Sequence, residues 1–121
     1  MNKIEFIDLE EYNDKVCRAK DKAFLLLTYF LNDFQHNFSY LQDETIENLE
    51  LVLSGEKTFD DIQDPEVYWS FGSGLGLGYF EVEGTTAYFE PDKELTDAPR
   101  IVMPLEEFIN ILKKWRAFLR S

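Results

Sequence analysis

Few residues in this chain could carry bond-making chemistry. Nucleophilic catalysis needs a Ser or Cys beside a base and an orienting group, and the sequence offers one imidazole, His36, near Ser39, and one thiol, Cys17. One histidine and one cysteine also fall short of a zinc set, so His36 reads as a surface or helix-terminal residue. The acids Asp60, Asp61, Asp64 and Glu66 crowd into EKTFDDIQDPE, yet a calcium loop needs alternating acids and a glycine at its bend. Here Phe59 and Ile62 interrupt, Pro65 follows Asp64, and glycine is absent from the run. Glu81 and Glu83 would lie roughly 6.7 Å apart on a strand, within glycosidase range, but an exposed strand lacks the desolvation a general acid requires. Glycines at 72, 74, 76 and 78 miss the dinucleotide spacing, which would put glycine at Leu77 or Tyr79. The chain therefore reads as a non-enzyme with no cofactor and no metal site.

The chain is organised around the stretch from Glu66 to Glu90, which reads as three antiparallel strands joined by two glycine turns. Alternation places Val67, Trp69, Phe71, Phe80, Val82, Ala87 and Phe89 on one face. The opposite face takes Glu66, Tyr68, Tyr79, Glu81, Glu83, Tyr88 and Glu90, half tyrosine and half carboxylate with no cation among them. Tyrosine supplies rigid contact area of the kind that dominates interfaces, so this face is expected to be open and to meet a partner rich in Arg and Lys. Its alternative fate is to lie beneath a third layer, such as the first helix.

Charge points the same way. The chain has 121 residues and a net charge of −12, and the excess is local: residues 43–97 hold fifteen acids and two bases, whereas residues 98–121 hold two acids and five bases. Phosphate contacts need Lys and Arg, so direct nucleic-acid binding is not expected, and a basic protein partner is. With 45% hydrophobic and 16% aromatic residues the chain should fold as a single domain, 1–121. A lone cysteine, an acidic start where a signal peptide turns apolar, and no apolar run of spanning length predict a cytoplasmic setting without membrane contact.

The remaining elements follow from spacing. Lys3 to Ile7 alternates as a short edge strand. Asp8 then caps a long amphipathic helix through Leu9, Tyr12, Val16, Ala19, Ala23, Leu26, Leu27, Phe30 and Phe34, continuous or broken near Asp21. Asp43 opens a second helix that buries Ile46, Leu49, Val52 and Leu53, exposes Glu44, Glu47 and Glu50, and ends at Gly55 in a left-handed cap. Gly76 and Gly78 share the parity of Phe80 and would let a helix approach the sheet closely. Glu83-Gly84-Thr85 makes a tight turn, Arg100 to Met103 a fourth strand, and Pro104 starts a last helix buried through Leu105, Phe108, Ile109, Leu112, Trp115 and Leu119. The expected class is α+β: N-terminal helices, an antiparallel sheet of three or four strands, and a C-terminal helix packed on one sheet face.

A small acidic chain with helices first, a hairpin ending in GTTAYFEPDKE, and a strand leading into IVMPLEEFINILKKWRAFL resembles the immunity proteins of bacterial polymorphic toxin and contact-dependent growth inhibition systems. The likeness covers mainly Asn48–Gly55 and Tyr79–Leu119. It implies a cytoplasmic inhibitor of the C-terminal toxic domain of a cognate effector, often a nuclease, and carries over no catalytic residues. The candidate toxin-binding residues come from charge and parity instead: Glu66, Tyr68, Tyr79, Glu81, Glu83, Tyr88 and Glu90 on the sheet, extended by Asp60, Asp61 and Asp64. The alternative is a small regulatory or ligand-binding module with a pocket between the sheet and the C-terminal helix.

Overall fold

The computed structural model describes residues 3–63, 69–72 and 76–121. It is an α+β fold with two antiparallel sheets, one of two strands and one of four, the latter in the order β3-β4-β5-β6. In chain order the elements are β1 (Ile4–Leu9), β2 (Asp14–Ala19), α1 (Leu25–Phe34), α2 (Ser39–Ser54), β3 (Ser70–Phe71), β4 (Gly78–Glu83), β5 (Thr86–Pro91), β6 (Ile101–Pro104) and α3 (Leu105–Leu119).

The N-terminal third departs from the long helix that its spacing suggests. Strand β1 runs on to Leu9, a 3-10 turn covers Glu10–Tyr12, and Asn13 takes the left-handed conformation at φ 52° that swings the chain back into β2. The strands pair with Ile4 opposite Ala19, Phe6 opposite Cys17 and Leu9 opposite Asp14. Val16 and Ala19 fit a helical stripe as well as a strand, so their spacing alone does not decide between the two. Pairing with β1 does decide, because it satisfies the backbone of both segments and lets Phe6 pack on Trp115 and Phe118, at ring separations of 4.9 and 5.5 Å. Tyr12, placed by the helical reading on the buried stripe, is 76% exposed. Helix begins only after Asp21, whose carboxylate accepts from the Ala23 N–H at 3.0 Å and caps the 3-10 turn Lys22–Phe24 that leads into α1. Cys17 is accordingly a buried strand residue. Its backbone N–H and C=O are both held by the Asn32 side chain of α1, at 2.8 and 3.0 Å, as a neighbouring strand would hold them.

Helix α2 starts at Ser39, four residues ahead of Asp43, so Asp43 is not its cap. Its carboxylate instead receives Arg116 at 2.9 Å and Arg120 at 3.0 Å, fastening the first turns of α2 to the end of α3. Desolvation pushes the Asp43 carboxyl up, but the two guanidiniums outweigh it and hold the group below its ordinary value. Glu44 and Glu47 are exposed, while Glu50 meets Lys113 at 3.5 Å. The helix ends as its sequence implies, at Gly55 with φ 84°.

The four-stranded sheet is a meander. Gly84 holds φ 62° at the first central position of the turn between Glu83 and Thr86, where only glycine is unstrained. Phe71, Phe80, Val82, Ala87, Phe89, Ile101 and Met103 form the buried inner face. Phe30 of α1 and Phe108 of α3 meet there, Phe30 against Phe80, Phe89 and Phe108 at 5.5, 6.1 and 5.2 Å. A heptad further along α3, Trp115 faces Phe6 of the β1–β2 hairpin and donates from its indole N–H to the Leu31 carbonyl at 2.7 Å. One stripe of α3 thus serves the large sheet with its first half and the hairpin with its second.

Gly76 and Gly78 work differently from their expected role in admitting a helix. A Cβ on Gly78 would stand 2.7 Å from the Glu90 carbonyl and 2.9 Å from the Phe71 ring, so the close approach is by the neighbouring strands. Gly76 has open space around it and is required for its φ of 68°.

Candidate functional site

Pairing register assembles the outer face of the large sheet row by row. Tyr79 lies opposite Glu90, Glu81 opposite Tyr88 and Glu83 opposite Thr86, while Tyr88 in turn faces Val102 and Thr86 faces Pro104. Helices α1 and α3 both pack on the inner side, which leaves this face uncovered: Tyr79 is 50% exposed, Val102 is 52% exposed, and Glu81 and Glu83 are exposed. Tyr88 and Glu90 are half-buried. Tyr79, Glu81, Glu83, Tyr88 and Glu90 therefore lie on one surface. Glu66 and Tyr68, assigned to the same face by parity, and Asp64 lie outside the described residues.

The face is not free of cations, contrary to the alternation of the three central strands. Arg100, just ahead of β6, forms an ion pair with Glu90 and lies 4.9 Å from the centroid of the Tyr88 ring. Its hydrogen bond to Glu90, opposed by partial desolvation and helped by the charges of Glu90, Tyr88 and Glu81, raises its pKa above the ordinary guanidinium value. The sequence did contain the signal, since Arg100 has the parity of Val102 and a fourth strand beside β5 brings both to the outer face. Tyr88 and Glu90 are consequently presented as a pre-ordered set with Arg100, whereas Glu81, Glu83 and Tyr79 are the accessible members. Cation–π and ion-pair contacts of this exposed kind order side chains more than they stabilise the fold.

Asp60 and Asp61 sit in a 3-10 turn, Asp60–Ile62, anchored by the buried Phe59. Asp61 accepts from the Thr58 N–H at 2.8 Å, a bond that with the Thr58 side chain lowers its carboxyl pKa, while its own N–H reaches the Thr58 hydroxyl at 3.3 Å. Asp61 is thus mainly a local cap. Asp60 has a different position: it shares with Lys57, Val82, Glu83 and Gly84 the lining of a surface depression of about 480 Å³ at the β4–β5 turn. The loop extends the acidic surface past the end of the sheet through Asp60 and Glu83.

Other chemistry finds little purchase. His36 is exposed beyond the end of α1. Burial, with a smaller contribution from Glu5, pushes the Cys17 thiol up to about 12. Among the described residues no group of three or more His, Cys, Asp or Glu side chains could hold a metal ion, and no helix is long and apolar enough to cross a membrane. Comparison with family models, with curated proteins and with solved structures returns no match.

Proposed function

We propose that this chain is an immunity protein: an inhibitor that binds a basic toxin domain, of which a nuclease is the best-fitting kind, through the outer face of its four-stranded sheet. The observation that carries the reading is the uncovered row of Tyr79, Glu81 and Glu83, with Tyr88 and Glu90 ordered beside it by Arg100. Exposed phenol rings supply contact area at low entropic cost, and the carboxylates around them steer a cationic surface toward them. A nuclease must present such a surface to hold phosphates, and an acidic protein lying on it blocks substrate without any catalytic step. The setting of this inhibition is the cytoplasm, where the toxin would act. A ligand-binding module with a pocket between the sheet and α3 draws less support, because the Phe71 ring and the Glu90 carbonyl fill the space at Gly78.

The test is a growth assay. The C-terminal domain of a large secreted protein encoded beside this chain is expressed alone and with it. Arrest by the domain, relief on co-expression and a stoichiometric complex of the purified pair support the proposal; a toxic basic domain that the chain neither binds nor inhibits sinks it.

A further inference from the structure

A second cavity, larger than the depression at the β4–β5 turn, has no role in the proposed inhibition. It measures about 580 Å³ and opens between the β1–β2 hairpin, the α1–α2 connection and the end of α3. Three carboxylates line it, those of Asp8, Glu10 and Asp14, all exposed. Its two cations are turned away into the fold: the Lys15 ammonium donates to the carbonyls of Phe118 at 2.9 Å and Ser121 at 2.7 Å, and Arg120 is held by Asp43, Ser39 and Gln42. Gln35, also in the lining, directs its amide nitrogen to Asp14 at 3.2 Å, and its buried Oε1 has no hydrogen-bond partner among the described residues. The lining therefore has hydrogen-bond acceptors in excess of donors.

The chain around this cavity also carries the most exposed aromatic rings described. Tyr12, 76% exposed, adjoins the lining residue Asn13; Phe38, 70% exposed, lies between the lining residues Asn37 and Ser39, and Tyr40, 66% exposed, follows. Phe38 and Tyr40 are stacked with centroids 5.8 Å apart and planes 6° from parallel, so they form a flat apolar platform with no neighbour to bury it. Exposed rings beside an acceptor-rich cavity are the arrangement of an interface anchor, apolar at its border and electrostatically specific within.

We infer that this cavity is a second docking site, which takes an arginine side chain from a cationic protein partner while Tyr12, Phe38 and Tyr40 pack on the surface around that arginine. A guanidinium supplies five donors in a plane, suited to several carboxylates at once. A second copy of this chain is a poor occupant, because each copy carries a net charge of −12. The inference rests on the proposed function only in taking the partner to be basic. It adds a contact apart from the outer sheet face, since none of the lining residues belongs to the four-stranded sheet.

The experiment titrates the full chain, isotope-labelled, with N-acetyl-arginine amide and follows backbone and side-chain amide resonances, with N-acetyl-citrulline amide as the uncharged isostere. The expected result is saturable shifts concentrated at Asn13, Gln35 and Asn37, absent with the citrulline compound. They should weaken roughly fivefold or more in Asp8→Asn/Asp14→Asn and change by less than about twofold in Phe38→Ser/Tyr40→Ser, whose rings meet the partner's surface and not the guanidinium. Shifts spread evenly over the exposed acids of the sheet and α2, equal shifts with citrulline, or no shifts would overturn the inference. The two proposals fail separately: a chain that binds arginine here but gives no protection from the toxin keeps the site and loses the inhibitor role. Protection by a chain that ignores the arginine compound does the reverse.

Discussion

Reversing the two accessible carboxylates of the sheet, Glu81→Lys with Glu83→Lys, should slow association with the toxin domain by an amount that the geometry fixes. Both side chains are exposed, and the described part of the face holds three carboxylates against one guanidinium, which is already committed to Glu90. At an encounter distance of ~10 Å in water a unit charge pair is worth ~0.4 kcal/mol, cut to ~0.15 kcal/mol by the Debye length of about 10 Å at 0.1 M salt. Changing the sign of two charges therefore costs ~0.6 kcal/mol for each cation facing them, about a threefold slower encounter, and three such cations give roughly twentyfold. In about 1 M salt the Debye length falls to ~3 Å and the difference should shrink below about twofold. Stopped-flow association across a salt series reads this directly. Glu44→Lys with Glu47→Lys on α2 is the control, since it makes the same change in net charge away from the sheet. Equal slowing by both pairs, or no slowing by the sheet pair, would refute the placement of the interface, because the effect would then follow bulk charge or nothing.

Three further outcomes test the structure beneath the site. Trp115→Phe removes the indole N–H and leaves the Leu31 carbonyl only the longer bond from the Gln35 N–H, at 3.3 Å, so it should cost about 1 kcal/mol in chemical denaturation; no loss would show that this contact is dispensable. Gly78→Ala pushes a methyl group to 2.7 Å from the Glu90 carbonyl and should destabilise by more than the ~1 kcal/mol typical of a glycine replaced at positive φ, which Gly55→Ala, with open space around it, should show in the same thermal melt. The Cys17 thiol, raised to about 12, should resist alkylation in the native state at neutral pH and react at once on denaturation. Because its folded pKa lies above the ordinary thiol value of 9.0, its contribution to stability is complete below pH 9 and is lost as pH rises toward 12; stability that rises over that interval, or fast native alkylation, would contradict the buried placement.

The four-stranded sheet could be read from the chain because its signals agree with one another. In β4 and β5 apolar and polar residues alternate strictly, and Gly84 marks the only tight turn between them, so Phe80, Val82, Ala87 and Phe89 have one possible side. Helix α3 was equally legible, with acids in its first turn, bases toward its end and a stripe of period 3.6 between. The segment from Asp8 to Phe24 was not. Val16, Cys17 and Ala19 suit both periods, and Tyr12 fits a helical stripe it does not join. What settles the hairpin is a partner, β1, together with the rings of Trp115 and Phe118 a hundred residues on, and neither is visible in a local window.

Composition and alternation alone determined that the middle of the chain is acidic, that its strands turn tyrosine and glutamate to one side and phenylalanine to the other, and that a last amphipathic helix must cover the second set. Only the folded chain decided which carboxylates are accessible. Arg100 reaches Glu90 because β6 joins β5 in a register that parity within three strands cannot supply, and Asp43 loses its expected capping role because α3 brings two guanidiniums to it. The cavity lined by Asp8, Asp14 and Gln35 has the same origin, since the hairpin, the α1–α2 connection and the end of α3 are remote in sequence. Charge pairing and cavity shape depend on distances between such segments, and those distances exist only once the apolar faces have been buried.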